Sequence, residues 1–216
     1  MKNFLKYTAL FLCGVLIASG FFLLMGRDLG AKPEVEKSLA VMAGKTDAQE
    51  SNQDLLKDAY EVLGAIRDRE YATLAGWIHP EVGVYFTPYS TVELEVNMHF
   101  TSEDVKGFAT CTNTYVWGTF DGEGSPISMT PSGYFDRFVY DADYLNAPMI
   151  GIDTIIRIGN SLENVKDVFP DSKFVEMHFP GSEEYGGIDW RSLKLVFTST
   201  EKGNKLVAII HSEWTI

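Results

Sequence analysis

The chain has 216 residues, of which 45% are hydrophobic and 13% aromatic, and this composition excludes an intrinsically disordered protein. Beyond residue 27 it carries 15 basic and 30 acidic residues, a formal net charge of −15. Nucleic-acid binding needs a surplus of Lys and Arg on one face, and no basic run occurs, so we expect no nucleic-acid partner.

Residues 8–26 form a run of 19 uncharged residues, followed by Arg27. This is the length of a membrane-spanning helix, whereas the apolar core of a signal peptide has roughly 7–15 residues. We therefore interpret residues 1–27 as a signal anchor or transmembrane helix with short flanks. The short leading tail and the acidic body favour a single-pass protein of the cell membrane with its folded domain outside the cytoplasm. Cleavage after Gly20 is the alternative, and it would give a secreted protein.

Residues 28–50 mix Lys, Glu, Ala and Gly with one Pro, which predicts a flexible stalk. Ser51 and Asp54 have the spacing of a capping box, so a helix is predicted to begin at Ser51. An apolar stripe at helical spacing follows. We predict that residues 51–216 form a single α+β domain.

The rest of the chain alternates between short helical and strand patterns. Helices are predicted at 71–78, 102–108, after Thr130–Pro131, and at 160–169. Strands are predicted at 82–87, 91–100, 114–120, 174–179, 192–198 and 205–212. His79, beside Pro80, is expected to cap the last carbonyls of the second helix.

The last 25 residues predict a long hairpin. Lys194 alternates with Leu193 and Leu195, so one face of its first strand is predicted to be buried. Residues 206–210 are apolar throughout, which indicates a strand covered on both sides at the centre of a sheet. Gly203–Asn204 has the residue types of a tight turn. Trp214, near the end, is expected to be buried.

This order of elements resembles the nuclear-transport-factor-2-like, or cystatin-like, superfamily. Residues 70–80 resemble its second helix and residues 206–214 its final strand. The stretches that also resemble an uncharacterised family of secreted or membrane-anchored bacterial single-domain proteins are 77–89, 115–118, 146–148 and 211–216. The resemblance implies a curved antiparallel sheet wrapped on N-terminal helices as a cone. It brings no catalytic residues with it, because the function of that family is not established. The superfamily hosts enzymes, binding modules and immunity proteins, so the fold does not select among them.

Glu176 and His178 alternate on one face of the predicted strand 174–179. A carboxylate and an imidazole at this spacing act as an acid–base pair or as metal ligands in some sites, and a hydrogen-bonded histidine on a half-exposed sheet is the plainer interpretation. His211 is the one strand-borne candidate for a third ligand, and the strand 192–198 should separate it from His178. The carboxylate is expected to raise the pKa of His178 modestly.

The strands and loops carry an aromatic surplus, which either fills the cone or lines its mouth. We therefore predict a binding set that combines aromatic and polar residues. Its members are Tyr85, Tyr115, Trp117, Glu176, His178, Trp190 and His211. No nucleotide, zinc or calcium motif occurs in the sequence, so no cofactor, no metal and no catalytic residue is predicted.

Three functions remain open from the sequence. The first is an extracytoplasmic, membrane-tethered domain that binds a small molecule or a protein partner. The second is a small hydrolase or isomerase that uses His178 and Glu176 in the cone. The third is a structural module that forms a homodimer through the sheet face.

Overall fold

The computed structural model describes residues 51–215, which lie within one compact unit, Glu50–Ile216. The predicted anchor at 1–27 and the predicted stalk at 28–50 lie outside the described residues. Among the described residues, none of the helices has both the length and the apolar character needed to cross a bilayer.

Two helices open the described part of the chain. Residues 51–67 form α1, as predicted, and Tyr71–Trp77 form α2. The buried stripe of α1 consists of Leu55, Ala59, Val62, Leu63 and Ile66. The predicted role of His79 is wrong, because its Nδ1 accepts hydrogen bonds from the backbone N–H groups of Glu81, at 3.2 Å, and Val82, at 3.0 Å. His79 therefore organises the turn into the first strand.

Eight strands follow, interrupted by short helices. The strands are β1 Val84–Thr87, β2 Met98–Phe100, β3 Tyr115–Thr119, β4 Pro126–Met129, β5 Met149–Ile152, β6 Lys173–Phe179, β7 Arg191–Thr200 and β8 Gly203–Glu213. The remaining helices are α3 Ser102–Gly107, α4 Pro131–Tyr134, the π-helical turn Phe135–Val139, the 3₁₀ turn Tyr144–Asn146 and α5 Val165–Val168. The α+β class is confirmed, as is the Thr130 cap of α4, which accepts from the Gly133 N–H.

The main sheet has six strands in the order β2-β1-β8-β7-β6-β5, and β3 pairs with β4 in a separate ribbon. β8 is central, as its apolar run predicted. The sheet is mixed, however, because β1 runs parallel to β8 while the other neighbours are antiparallel. The expectation of a wholly antiparallel sheet is therefore corrected.

The predicted strand 91–100 is mostly wrong, because only Met98–Phe100 pairs in the sheet. The backbone carbonyl oxygen of Glu93 accepts the N–H groups of Val96 and Asn97. The side-chain oxygen of Asn97 accepts the Glu93 N–H at 2.6 Å. An Asn that bonds to nearby backbone offers an alternative to the sheet ladder. Residues 88–97 therefore form a loop, called loop 88–97 below.

Other boundaries also differ from the predictions. β4 and β5 were not predicted, and the helix expected at 160–169 is limited to Val165–Val168. The β7–β8 turn is centred on Glu201–Lys202 rather than on Gly203–Asn204, because Thr200 pairs with Gly203. Gly203 follows the turn with a φ of +90°, a backbone conformation that favours glycine.

The two faces of the main sheet are covered differently. The inner face packs against α1, α2 and a large aromatic cluster. The outer face is covered by residues 153–169, called the covering segment below, from which Ile155, Val165, Val168 and Phe169 pack onto it. Val196 and Ala208, in the middle of the outer face, are buried as a result.

Candidate functional site

The inside of the domain is filled by aromatic side chains. Trp117 is fully buried and stacks on Tyr134 with ring centroids 3.9 Å apart. Phe86 and Phe135 close in around them, with Phe86 5.7 Å from Trp117 and 5.7 Å from Phe135. Trp117 is therefore a core residue, and these rings occupy the space against the inner face of the sheet.

The other predicted aromatic residues lie apart from one another. Tyr85 is half-buried on β1, with its ring 4.5 Å from the ring of His99. Tyr115 is half-buried on β3, where its hydroxyl lies 3.6 Å from the sulfur of Cys111. Trp190 is buried just before β7, and the Arg157 guanidinium lies over its ring at 5.1 Å. Trp214 is 39% exposed, so its expected burial is wrong.

Glu176 and His178 share the outer face of β6, as predicted, but both are buried beneath the covering segment. Glu176 Oε2 accepts the backbone N–H of Ile156 at 3.0 Å. His178 Nδ1 lies 2.7 Å from the Ser192 hydroxyl. His211 projects to the inner face, since it pairs with Leu193 while Ser192 pairs with His178. His211 therefore does not join the other two.

The expected direction of the His178 pKa is also wrong. Burial lowers the pKa of His178, and the positive charges of Arg157 and Lys194 lower it further. Desolvation disfavours the charged imidazole, and nearby cations act in the same direction. The neighbouring Glu176 carboxylate does not reverse this effect.

The alternation predicted one buried face on this strand, yet Lys194, on the opposite face of β7, is fully buried as well. Its Nζ lies 2.7 Å from Glu163 Oε2 of the covering segment and donates to the Ser212 hydroxyl at 3.1 Å. Ser212 in turn lies 2.8 Å from the Ser90 hydroxyl. The sequence carried one signal for this arrangement, because β8 reads as covered on both faces and its neighbour β7 must then be covered too.

A second buried polar cluster surrounds His211 on the inner face. His211 Nδ1 lies 3.0 Å from the Pro88 carbonyl, and Nε2 lies 3.4 Å from Asp141 Oδ2. Asp141 also accepts from Arg191 Nη1 and from the Tyr144 hydroxyl, at 2.9 and 2.8 Å. Burial acts to raise the pKa of Asp141, but the bonds and charges of His211, Tyr144 and Arg191 outweigh it and lower that pKa to about 2.

A groove of about 620 Å³ opens on the surface, between loop 88–97, the β3–β4 turn at 118–124 and residues 160–161. It is called the surface groove below. Its side chains include Tyr89, Phe120 and Val96, and the carboxylates of Glu93, Asp121 and Glu123. Among the residues that the structure describes, no Lys, Arg or His lines it. A smaller groove of about 400 Å³ lies elsewhere, between α2 and the β7–β8 turn.

One wall of the surface groove, loop 88–97, is bonded to the main sheet and to the covering segment. His211 and Ser212, which project to opposite faces of β8, contact Pro88 and Ser90, so loop 88–97 straddles the end of that strand. Asn164 of the covering segment bonds both the N–H and the carbonyl of Val92, at 2.8 and 3.0 Å. Loop 88–97 is therefore an anchored wall, and the volume of the groove is typical of ligand sites.

Among residues 51–215, no three His, Cys, Asp or Glu side chains gather closely enough to hold a metal ion. Within that same range, Cys111 is a free, half-buried thiol.

No protein-family model matches the chain, and no curated protein matches it in sequence. Among solved structures, one similar chain comes from Xanthomonas campestris and is described as a calcium/calmodulin-dependent protein kinase II association domain. The two chains are 12% identical, with a TM-score of 0.29, and the match covers 73% of this chain and 82% of that chain. A likeness at this TM-score carries no argument about function.

Proposed function

We propose that this protein is a membrane-tethered binding domain outside the cytoplasm, and that its surface groove binds a small molecule or a segment of a partner protein. Residues 8–26 supply the tether in this proposal. The order of helices and strands supports the finer assignment to the nuclear-transport-factor-2-like superfamily and its cone.

The observation that carries the proposal is the contrast between the filled interior and the open groove. Trp117 and Tyr134 occupy the inside of the domain, while the surface groove is about 620 Å³ in volume and has one anchored wall, loop 88–97. Within residues 51–215, three carboxylates and no basic side chain line it, so it fits a neutral or cationic ligand better than an anionic one. The half-buried rings of Tyr89 and Phe120 offer flat apolar contact.

Thermal unfolding of the full chain against a small panel tests this proposal. The panel contains neutral disaccharides, primary amines and lysine-containing peptides, with acidic sugars and glutamate peptides as matched anionic controls. We expect a neutral or cationic member to raise the melting temperature. Binding to none of these classes, or binding confined to the anionic controls, contradicts the proposal.

The location of binding is tested with two valines of similar exposure. Val96 lines the surface groove and is 63% exposed, whereas Val116 is 57% exposed on β3 and lies outside the lining. Val96→Arg should abolish the stabilisation by the panel member, and Val116→Arg should keep it. Equal effects of the two substitutions would show that the ligand binds elsewhere.

The membrane tether has its own test. Intact-mass measurement of the protein from its native membranes should find residues 8–26 still attached. A mature chain that begins at Phe21 would contradict the anchor and favour secretion.

A homodimer through the outer sheet face is a second candidate function. The outer sheet face is itself covered, so the surface open to a second copy on that side is the covering segment. Its Ile158 and Leu162 are 65% and 66% exposed. Exposed apolar side chains of this kind favour a protein contact. Leu162→Lys should then reduce the mass of the native assembly, and Val116→Lys should leave it unchanged.

A hydrolase or isomerase that uses His178 and Glu176 would require the covering segment to move first.

A further inference from the structure

The groove of about 400 Å³, called the smaller groove below, lies where α1, α2 and the β7–β8 turn meet. α1 contributes Asp58 to its lining, and α2 contributes Trp77. Lys202 comes from the turn, and Lys205 from the start of β8. The described lining of the surface groove contains none of these residues, so the two grooves are separate.

Hydrogen bonds cross the smaller groove from the strand side to the helix side. Asn204 Nδ2 donates to Asp58 Oδ2 at 2.8 Å. Lys205 Nζ donates to the backbone carbonyl of Gly76 at 2.8 Å. All four of these residues belong to the lining, so the contacts hold the charged side chains at the groove surface.

The charges in the smaller groove are not paired with each other. Most lysine and arginine side chains of residues 51–215 have a carboxylate oxygen within 4.0 Å. The exceptions in that range are Arg157, Lys173, Lys202 and Lys205, and the last two line the smaller groove. Asp58 likewise has no cationic partner within 4.0 Å among the described residues. The groove therefore presents both signs of charge to a ligand.

Each charged group keeps hydrogen-bonding capacity beyond its contact in the structure. An ammonium group has three N–H donors, and Lys205 directs one of them at Gly76. A carboxylate has about four acceptor positions, and Asp58 directs one of them at Asn204. A ligand that carries a carboxylate and an ammonium group can therefore bond to both side chains without displacing either contact.

Trp77 supplies the apolar surface of the smaller groove. Its half-buried ring packs against the main core, and the ring centroid lies 6.0 Å from Lys205 Nζ. A carboxylate bonded to Lys205 is thereby brought close to the indole, so an apolar group attached to that carboxylate can pack on the ring. The volume of the groove suits a ligand of this small size.

We propose that the smaller groove binds a free amino acid with an apolar side chain. The carboxylate of the ligand bonds to Lys205, its ammonium group bonds to Asp58, and its side chain packs on Trp77. A purely anionic ligand is disfavoured by Asp58, and a purely cationic ligand is disfavoured by the two lysines. The site is independent of the proposed function of the surface groove.

Calorimetric titration of the full chain with L-phenylalanine tests the proposal. The matched ligands are phenethylamine, which lacks the carboxylate, and 3-phenylpropanoate, which lacks the ammonium group. We expect L-phenylalanine to bind about tenfold more tightly than either, because each matched ligand loses one charge-assisted hydrogen bond. This comparison uses the wild-type protein alone. No binding of L-phenylalanine, or equal affinities for the three ligands, overturns the proposal.

Variants that remove one charge test the role of each side chain. Lys205→Gln should weaken the binding of L-phenylalanine about tenfold and leave that of phenethylamine unchanged. Asp58→Asn should weaken the binding of L-phenylalanine by a similar factor and should not weaken that of 3-phenylpropanoate. Losses that do not follow the charge of the ligand in this way overturn the proposal.

Two control variants locate the ligand. Lys173 also lacks a carboxylate partner in the described part of the chain and lies outside the smaller groove, so Lys173→Gln should leave the affinity for L-phenylalanine unchanged. Val96→Arg, in the surface groove, should leave it unchanged as well. Binding lost in Val96→Arg and kept in Lys205→Gln would assign the amino acid to the surface groove and overturn the site proposed in the smaller groove.

Discussion

Lys194 Nζ and Glu163 Oε2 form an ion pair 2.7 Å long, with side-chain exposures of 0% and 2%. One partner stands on a central strand and the other on the covering segment, so the pair joins the sheet to the chain that lies over it. A buried pair of this kind has a large desolvation cost, which the Coulomb attraction offsets only when both partners are present.

Removing one partner of the pair should therefore lower the free energy of unfolding far more than removing both. Lys194→Met leaves the Glu163 carboxylate buried and unpaired, and we expect it to lower the free energy of unfolding by about 3–5 kcal/mol. Lys194→Met with Glu163→Leu should recover most of that loss. Denaturant unfolding of the full chain measures both.

The exposed pair Lys57–Glu61 is the matched control, at 3.8 Å and with exposures of 74% and 52%. Lys57→Met should change the free energy of unfolding by less than about 1 kcal/mol. If the single and double variants of the buried pair are equally unstable, the Lys194 contact with Ser212 matters more than its charge pairing.

Two tryptophans give a second prediction about the core. Trp117 is fully buried against Tyr134, whereas Trp214 is 39% exposed. Trp117→Ala should reduce the free energy of unfolding by about 3–5 kcal/mol, because it leaves a cavity in a packed core. Trp214→Ala should have a clearly smaller effect. Equal losses in thermal or denaturant unfolding would show that the terminal residues belong to the core after all.

The fold could be predicted where a strong local pattern and the tertiary environment agree. Residues 206–210 are apolar throughout, and β8 is indeed the central strand. In loop 88–97 the local pattern and the tertiary environment disagree. Its residues have the pattern of a strand, but the Asn97 side chain accepts the Glu93 N–H and closes a turn. The burial of Lys194 was missed, because its Leu–Lys alternation is typical of a half-exposed strand. The one signal against that interpretation lies in the neighbouring strand β8, whose apolar run indicates cover on both faces.

The candidate site was less predictable than the fold. The walls of the surface groove come from loop 88–97, the turn at 118–124 and residues 160–161, which only the folded chain brings together. The turn at 121–124 has the Gly-rich composition of a loop, and this composition carries no ligand signal. The predicted residues Glu176 and His178 do share a face, yet what covers them lies elsewhere in the sequence, in the covering segment.

Asp141 should make the free energy of unfolding depend on pH under acidic conditions. Its folded pKa of about 2 lies below the value of 3.8 expected in the unfolded chain, so its contribution is complete above about pH 4 and is lost as pH falls through 2. The difference corresponds to roughly 2 kcal/mol. The free energies of unfolding of wild type and Asp141→Asn, measured with denaturant, should differ by this amount at pH 6 and converge near pH 2. A difference between the two proteins that does not change with pH would contradict this account.

His178 gives the last prediction, in which the sign of the pH effect is opposite to that expected from the sequence. Its pKa is lowered by burial, by Arg157 and by Lys194, so the folded protein favours the neutral ring. The stability that this ring contributes should be complete above the unfolded value of about 6.5 and should decline as pH falls below it. Arg157→Gln should raise the pKa of His178 in an NMR titration, and Glu176→Gln should change it less. A larger effect of Glu176→Gln would show that the carboxylate dominates the imidazole, and the acid–base interpretation of the pair would return.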